Sequence, residues 1–207
     1  MSRHDWYRNK KWDGDIEAAF TAKLKRARDK SQYLRIQASI LADSQPEITL
    51  QLLEQYFALG VHFDYAQAWL DKARAHLSLD QLNQAIQAYQ SALAREVEYP
   101  QLQTRAYLEF PYLVATHGLK EYYQEYIALL EKTKTRLMFP VDYFIWNATC
   151  AILLQNEGNI SEARQYAKVA LEAAAQEKSG FRYHPTVGLV GDKYEQTKKS
   201  LVGLTNA

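Results

Sequence analysis

The sequence predicts an all-α protein, a superhelix or short solenoid of stacked helical hairpins with a C-terminal extension. Three observations predict it. Apolar residues recur with helical spacing along most of the chain. Proline and glycine are scarce, 5 and 8 in 207 residues, and stand mainly at junctions. The helix–turn–helix pattern recurs along the chain, which is how a stacked array announces itself.

The periodicity is explicit in several stretches. Thr49, Leu52, Leu53, Tyr56 and Phe57 fall on one helical face, as do Leu82, Ala85, Ile86, Tyr89 and Leu93, and again Tyr123, Tyr126, Ile127 and Leu130. Each set makes one apolar stripe on a helix. Start and stop signals place helices near 14–29, 31–43, 46–58, 65–78, 81–95, 101–116, 119–137, 141–156, 160–177 and 192–203. Ser44 and Glu47 have capping-box spacing around Pro46, and Asp13, Asp64 and Asp80 are candidate N-caps. Gly60, Gly118 and Gly158 suit the left-handed residue that ends a helix or turns between two. Pro111 is expected to kink or split its helix, because it removes an N–H and crowds the preceding turn.

Ten short-linked helices suggest hairpins. The segment Ala68–Ala94 has Trp69 and Ala73, a turn at Asp80-Gln81-Leu82, then Ala85, Tyr89 and Ala92-Leu93. This pattern resembles the tetratricopeptide repeat, in which small residues let paired helices approach and aromatics fill the gap to the next pair. Asn147–Leu171 matches again, with Ala151 and Leu154, a Gly158-Asn159 turn, then Ala163, Ala167, Ala170 and Leu171. Weaker matches pair Tyr33, Ile36 and Ile40 with Thr49, Leu53 and Tyr56, and Tyr107, Phe110 and Val114 with Tyr123, Ile127 and Leu130. Lys72 stands where the family usually has leucine, the proline after the second helix is displaced or missing, and the spacing between units exceeds the family's about 34 residues. The resemblance implies about four to five such hairpins over residues 31–177, flanked by an N-terminal aromatic segment and capping helix (1–30) and a C-terminal loop and capping helix (178–207). Similar end segments accompany tetratricopeptide-like bacterial proteins of unassigned function.

Composition narrows the function classes. Hydrophobic residues are 47% and charged residues 24%, ordinary for a folded chain. A formal net charge of +1 supplies no field for nucleic acid or an acidic membrane, so neither partner is expected. The basic run Lys23, Lys25, Arg26, Arg28 and Lys30 is spread around its helix, with Glu17 upstream and Asp29 inside it. No stretch reaches the roughly 20 apolar residues of a membrane span, and Met1 to Asp15 lacks the apolar run of a signal peptide. A cytoplasmic location follows as the expectation.

The histidines His4, His62, His76, His117 and His184 are dispersed and none pairs with another at i+4, so no metal site is expected. His62 and Asp64 are too few ligands for one. Cys150, the one cysteine, lies in an apolar stretch without a neighbouring base, which suits a small core residue better than a nucleophile. Glu121 and Glu125 share a helix face as solvated carboxylates. Gly188 to Gly191 lacks the length and preceding strand of a phosphate loop. No catalytic residue and no cofactor is expected.

Two end segments stand outside the repeat. Trp6, Tyr7, Arg8, Asn9 and Trp12 either cover the exposed face of the first hairpin or anchor a partner. Residues 179–191 form a dense aromatic, cationic and turn-rich loop. It either packs Phe181, Tyr183 and Leu189 into the groove or presents Phe181, Arg182, Tyr183 and His184 as a functional patch.

The family's usual role, protein–protein interaction on a concave face, is what the resemblance implies. The expected partner is a protein or peptide, held on a groove lined by Tyr33, Gln67, Lys72, Tyr107, Tyr112 and Asn147. A bacterial immunity or antitoxin protein that neutralises a toxin by direct binding is a specific version. A small-molecule sensor or enzyme using the C-terminal loop, and a role in self-assembly, are the rival classes.

Overall fold

The structure, a computed structural model, describes residues 6–206; the expectation for His4 lies outside the described residues. These residues form ten α-helices and three short 3-10 turns, with no strand among them. No helix of the described residues is long and apolar enough to cross a membrane. The chain divides into two compact units, Met1–Ala106 and Tyr107–Ala207.

The first unit holds α1 (Gly14–Arg26), α2 (Lys30–Leu41), α3 (Pro46–Ala58), α4 (Tyr65–Ser78) and α5 (Leu82–Glu98). Successive helices pack on one another, and α2 also meets α4 directly, with α3 between them in sequence. Ala73 and Ala75 of α4 and Ala85 and Ala92 of α5 are fully buried, and small side chains of this kind let packed helices approach closely. A larger side chain at such a seam forces the helix axes apart. Phe20, Leu34, Leu41, Leu53 and Tyr56 fill the core between α1, α2 and α3.

The N-terminal aromatics cover this core. Trp6 and Trp12 pack on Phe20 with ring centroids 5.4 and 5.2 Å apart, and Tyr7 packs on Tyr33 at 4.6 Å. Asn9 is fastened by hydrogen bonds to buried Gln37. Trp6, Tyr7 and Trp12 remain partly exposed at this contact.

The second unit holds α6 (Ala106–Thr116), α7 (Tyr123–Thr133), α8 (Pro140–Asn156), α9 (Ile160–Ala174) and α10 (Glu195–Asn206). Helices α7, α8, α9 and α10 pack in succession, and α8 also touches α10. Trp146, Phe144, Phe110, Tyr126 and Leu130 are fully buried. The Trp146 indole N–H donates to the Leu130 carbonyl at 3.1 Å, satisfying one of the last carbonyls of α7. The alanine seam recurs here, with Ala148 and Ala151 of α8 and Ala163, Ala167 and Ala170 of α9 all buried.

Several local expectations need correction. Of the kink or split expected at Pro111, the split does not occur, because α6 runs unbroken through it. The capping box at Ser44 does not form. Ser44 N–H instead bonds Leu41 at the end of α2, and Gln45 takes the N-cap ahead of Pro46. Asp80 is a turn residue at φ +55°, and Gln81 is the N-cap of α5. That turn contains no glycine, and aspartate tolerates the left-handed region better than most residues. The expected helix from 101 starts at Ala106, because Glu96 accepts hydrogen bonds from the Thr104 N–H and hydroxyl at 2.8 and 2.6 Å and holds the approach as a loop. The segments expected at 119–137 and 192–203 begin as 3-10 turns, Lys120–Tyr122 and Asp192–Tyr194. Gly60, Gly118 and Gly158 do take positive φ at their helix ends, and Asp13 does cap α1.

Candidate functional site

A cleft of about 580 Å³ opens in the second unit between the end of α6, the last turns of α8 and the first turns of α10. Its polar lining is Thr116, His117, Gln155, Asn156, Gln196, Thr197 and Ser200, amide and hydroxyl groups with one imidazole and no carboxylate, ammonium or guanidinium. Local structure sets several of these groups. The Thr116 hydroxyl bonds back to the Tyr112 carbonyl at 2.9 Å. The Asn156 amide donates to the Tyr123 hydroxyl at 2.8 Å. Thr197 pairs with the Tyr112 hydroxyl at 2.5 Å, which ties α10 to α6 along the cleft wall. Gln155, Gln196 and Ser200 are exposed.

The loop 179–191 is anchored rather than tucked away. Phe181 stacks on Phe139, the residue before α8, with centroids 5.1 Å apart. The Val141 N–H donates to the Gly188 carbonyl at 2.8 Å. Gly188 has φ +75°, and a Cβ there would overlap the Phe139 side chain. Inside the loop, Ser179 ties the turn by donating from its N–H to the Pro185 carbonyl at 2.8 Å and from its hydroxyl to the His184 carbonyl at 2.9 Å. Ser179 is itself buried, whereas Tyr183 is 79% exposed and Phe181 41%. Arg182 lies over the Tyr183 ring at 5.4 Å, and both Arg182 and His184 are exposed. Met138, Tyr143 and Val187 are exposed as well.

The expected groove residues fare unequally. Tyr112 borders the cleft. Tyr33 is covered by Trp6 and Tyr7. Asn147 is buried, and its amide donates to the Tyr143 carbonyl of its own helix at 2.7 Å. Tyr107 is buried too, with the Arg136 guanidinium 3.9 Å from its ring. Lys72 lies over the Trp69 and Phe57 rings at 5.0 and 5.6 Å. Gln67 donates to Asp71 at 2.9 Å. Tyr33, Asn147, Tyr107 and Lys72 thus serve the packing of their own units.

Gln67 leads to a polar centre that the periodicity conceals. Asp71 is wholly buried in α4 and accepts from Gln67 and from the Ser39 hydroxyl of α2 at 3.2 Å. Arg74 and Arg35 approach it to 3.8 and 3.9 Å. Arg35 also pairs with Asp64, which accepts from the Tyr56 hydroxyl at 2.7 Å. Burial pushes the Asp71 carboxyl up to about 6 against the pull of Arg74, Gln67, Arg35 and Ser39. Burial, then the Asp64 hydrogen bond, raise the Tyr56 hydroxyl. The available signal was the i, i+4 and i+3 spacing of Gln67, Asp71 and Arg74 on one helix, which reads equally well as a solvated face.

No family model, curated protein or solved structure matches this chain. Its chemistry therefore rests on its own residues. Among those described, no three His, Cys, Asp or Glu side chains cluster so as to hold a metal ion. Burial, with Glu131 adding to it, pushes the Cys150 thiol up to about 12, which keeps it protonated and a poor nucleophile. Lys23, Lys25, Arg26, Arg28 and Lys30 are all exposed, and Asp29 among them caps α2 by accepting from Gln32.

Proposed function

We propose that this chain is a protein–protein interaction module that holds a segment of a partner protein or peptide on the recessed face of a tetratricopeptide-like array, without catalysis. One observation carries the reading: alternate helices α6, α8 and α10 together line a polar cleft. In hairpin arrays the first helix of each pair lines the concave face. Side-chain amides such as Gln155 and Gln196 both donate and accept, so they complement the alternating N–H and C=O groups of an extended peptide backbone. At the opposite end of α8, the exposed Phe181, Arg182 and Tyr183 would offer a longer partner segment the aromatic and guanidinium groups that dominate binding energy at protein interfaces. Their anchoring through Phe139 and Gly188 lowers the ordering cost of binding.

The test is site-specific photo-cross-linking in the native cell. Probes at Gln155 and Gln196 should capture one protein in stoichiometric yield, and a probe at Lys168 on α9 should not. The captured protein, purified, should bind the intact chain and lose about tenfold or more in affinity against Gln155→Ala with Gln196→Ala, as removal of about two hydrogen bonds requires. Equal capture at all three positions, or no capture at the cleft, would overturn the proposal.

A further inference from the structure

A second pocket lies elsewhere in the second unit, between α7, α8 and α9, and its chemistry differs from that of the cleft. Its volume is about 190 Å³. The walls are Ile127, Leu130, Cys150, Leu153, Leu154 and the Tyr166 ring. An apolar cavity of about 150 Å³ accepts a benzene ring, so this one takes a six-membered ring or a branched alkyl group. The remaining lining residues are Glu131, Glu157 and Glu162, and the lining includes no lysine, arginine or histidine.

The charge around the pocket is therefore one-sided. Glu131 and Glu162 both act on Cys150, adding to the burial that raises its thiol, while Lys134 works against them. The same two carboxylates raise the Tyr166 hydroxyl, after burial and Cys150. Lys134 is occupied over the Trp146 ring, 4.6 Å from its centroid. Glu162 accepts from the Asn159 amide at 2.8 Å, which fixes its carboxylate at the first turn of α9. Glu131, Glu157 and Glu162 are all exposed. An apolar ligand alone would leave their field unused, and an anion would oppose it.

We propose that this pocket binds a small organic cation, with an apolar ring or branched chain against Leu130, Leu153, Cys150 and Tyr166 and an ammonium at the Glu131 and Glu162 carboxylates. Tyr166 lines the same pocket, and an ammonium within about 6 Å of its ring face would gain a cation–π contribution. This goes beyond the peptide-binding reading, uses different residues and stands if that reading fails.

The test uses the full chain with benzylammonium, benzyl alcohol and benzoate as matched probes, followed by methyl NMR of Ile127, Leu130, Leu153 and Leu154. Benzylammonium should shift these methyls and bind about tenfold more tightly than benzyl alcohol at low salt, and benzoate should bind weakest. Raising the salt to about 1 M should remove most of the cation's advantage in the unmodified protein. Glu131→Gln with Glu162→Gln should bring benzylammonium down to the affinity of benzyl alcohol. Equal affinities for the three probes, or benzylammonium binding that leaves the four methyls unmoved, would overturn the proposal.

Discussion

Gln37 and Asn9, twenty-eight residues apart, exchange three hydrogen bonds: the Gln37 carbonyl oxygen accepts from both the backbone and side-chain N–H groups of Asn9 at 2.9 Å, and its amide donates to the Asn9 carbonyl at 2.7 Å. Gln37 is wholly buried in α2, so the N-terminal segment supplies the polar partners that its burial demands. Gln37→Ala strands the Asn9 groups and should cost about 2–3 kcal/mol of stability. The fluorescence of Trp6 and Trp12 should shift to the red, because the segment they sit in loses its tether. An unchanged urea midpoint and spectrum would contradict this account.

Asp71 should give the chain an unusual pH dependence. Its carboxyl stands at about 6 when folded against 3.8 for the free group, so the folded state holds the proton more tightly. Stability contributed by this group is fully present below the unfolded value and is lost as pH rises through about 6, a difference of about 3 kcal/mol. Asp71→Asn mimics the protonated form. Its stability relative to the unmodified chain should improve between pH 4 and pH 7.5, as read by urea denaturation at the two values. A difference that stays constant with pH would refute the role assigned to Asp71.

Gly188 is required where it stands. Its φ of +75° strains any side chain, and a Cβ there overlaps Phe139. Gly188→Ala should destabilise the docked loop by about 1–3 kcal/mol. Amide exchange at Val141, whose N–H bonds the Gly188 carbonyl, should accelerate in step.

Phe181 and Tyr183 should separate stability from binding. Phe181 stacks on Phe139, whereas Tyr183 is 79% exposed. Phe181→Ala should lower stability by about 1 kcal/mol, and Tyr183→Ala should leave it within about 0.5 kcal/mol. Only a partner would register the loss of Tyr183.

Cys150 should resist alkylation. With its thiol held at about 12, the thiolate fraction at pH 8 falls about a thousandfold or more below that of an ordinary cysteine. Iodoacetamide at pH 8 should label it slowly in buffer and promptly in denaturant.

The sequence by itself determined the helices and most of their ends. Periodic stripes such as Leu52, Leu53 and Tyr56 need only a cylinder and an apolar side, and Gly60, Gly118 and Gly158 need only a left-handed backbone, so both are local properties. It also marked Ala85, Ala92, Ala163 and Ala167 as seam residues, because a small side chain at helical spacing has little other use. What it could not supply was the identity of neighbours. Asn9 finds Gln37, Phe181 finds Phe139, Asp71 finds Arg35 and Ser39, and alternate helices α6, α8 and α10 meet at one cleft, all through contacts between residues far apart in the chain. A one-dimensional pattern reports which face of a helix is apolar but not what is pressed against it. Burial, charge pairing and the shape of a pocket exist only once the helices are packed, so only the tertiary structure decided them.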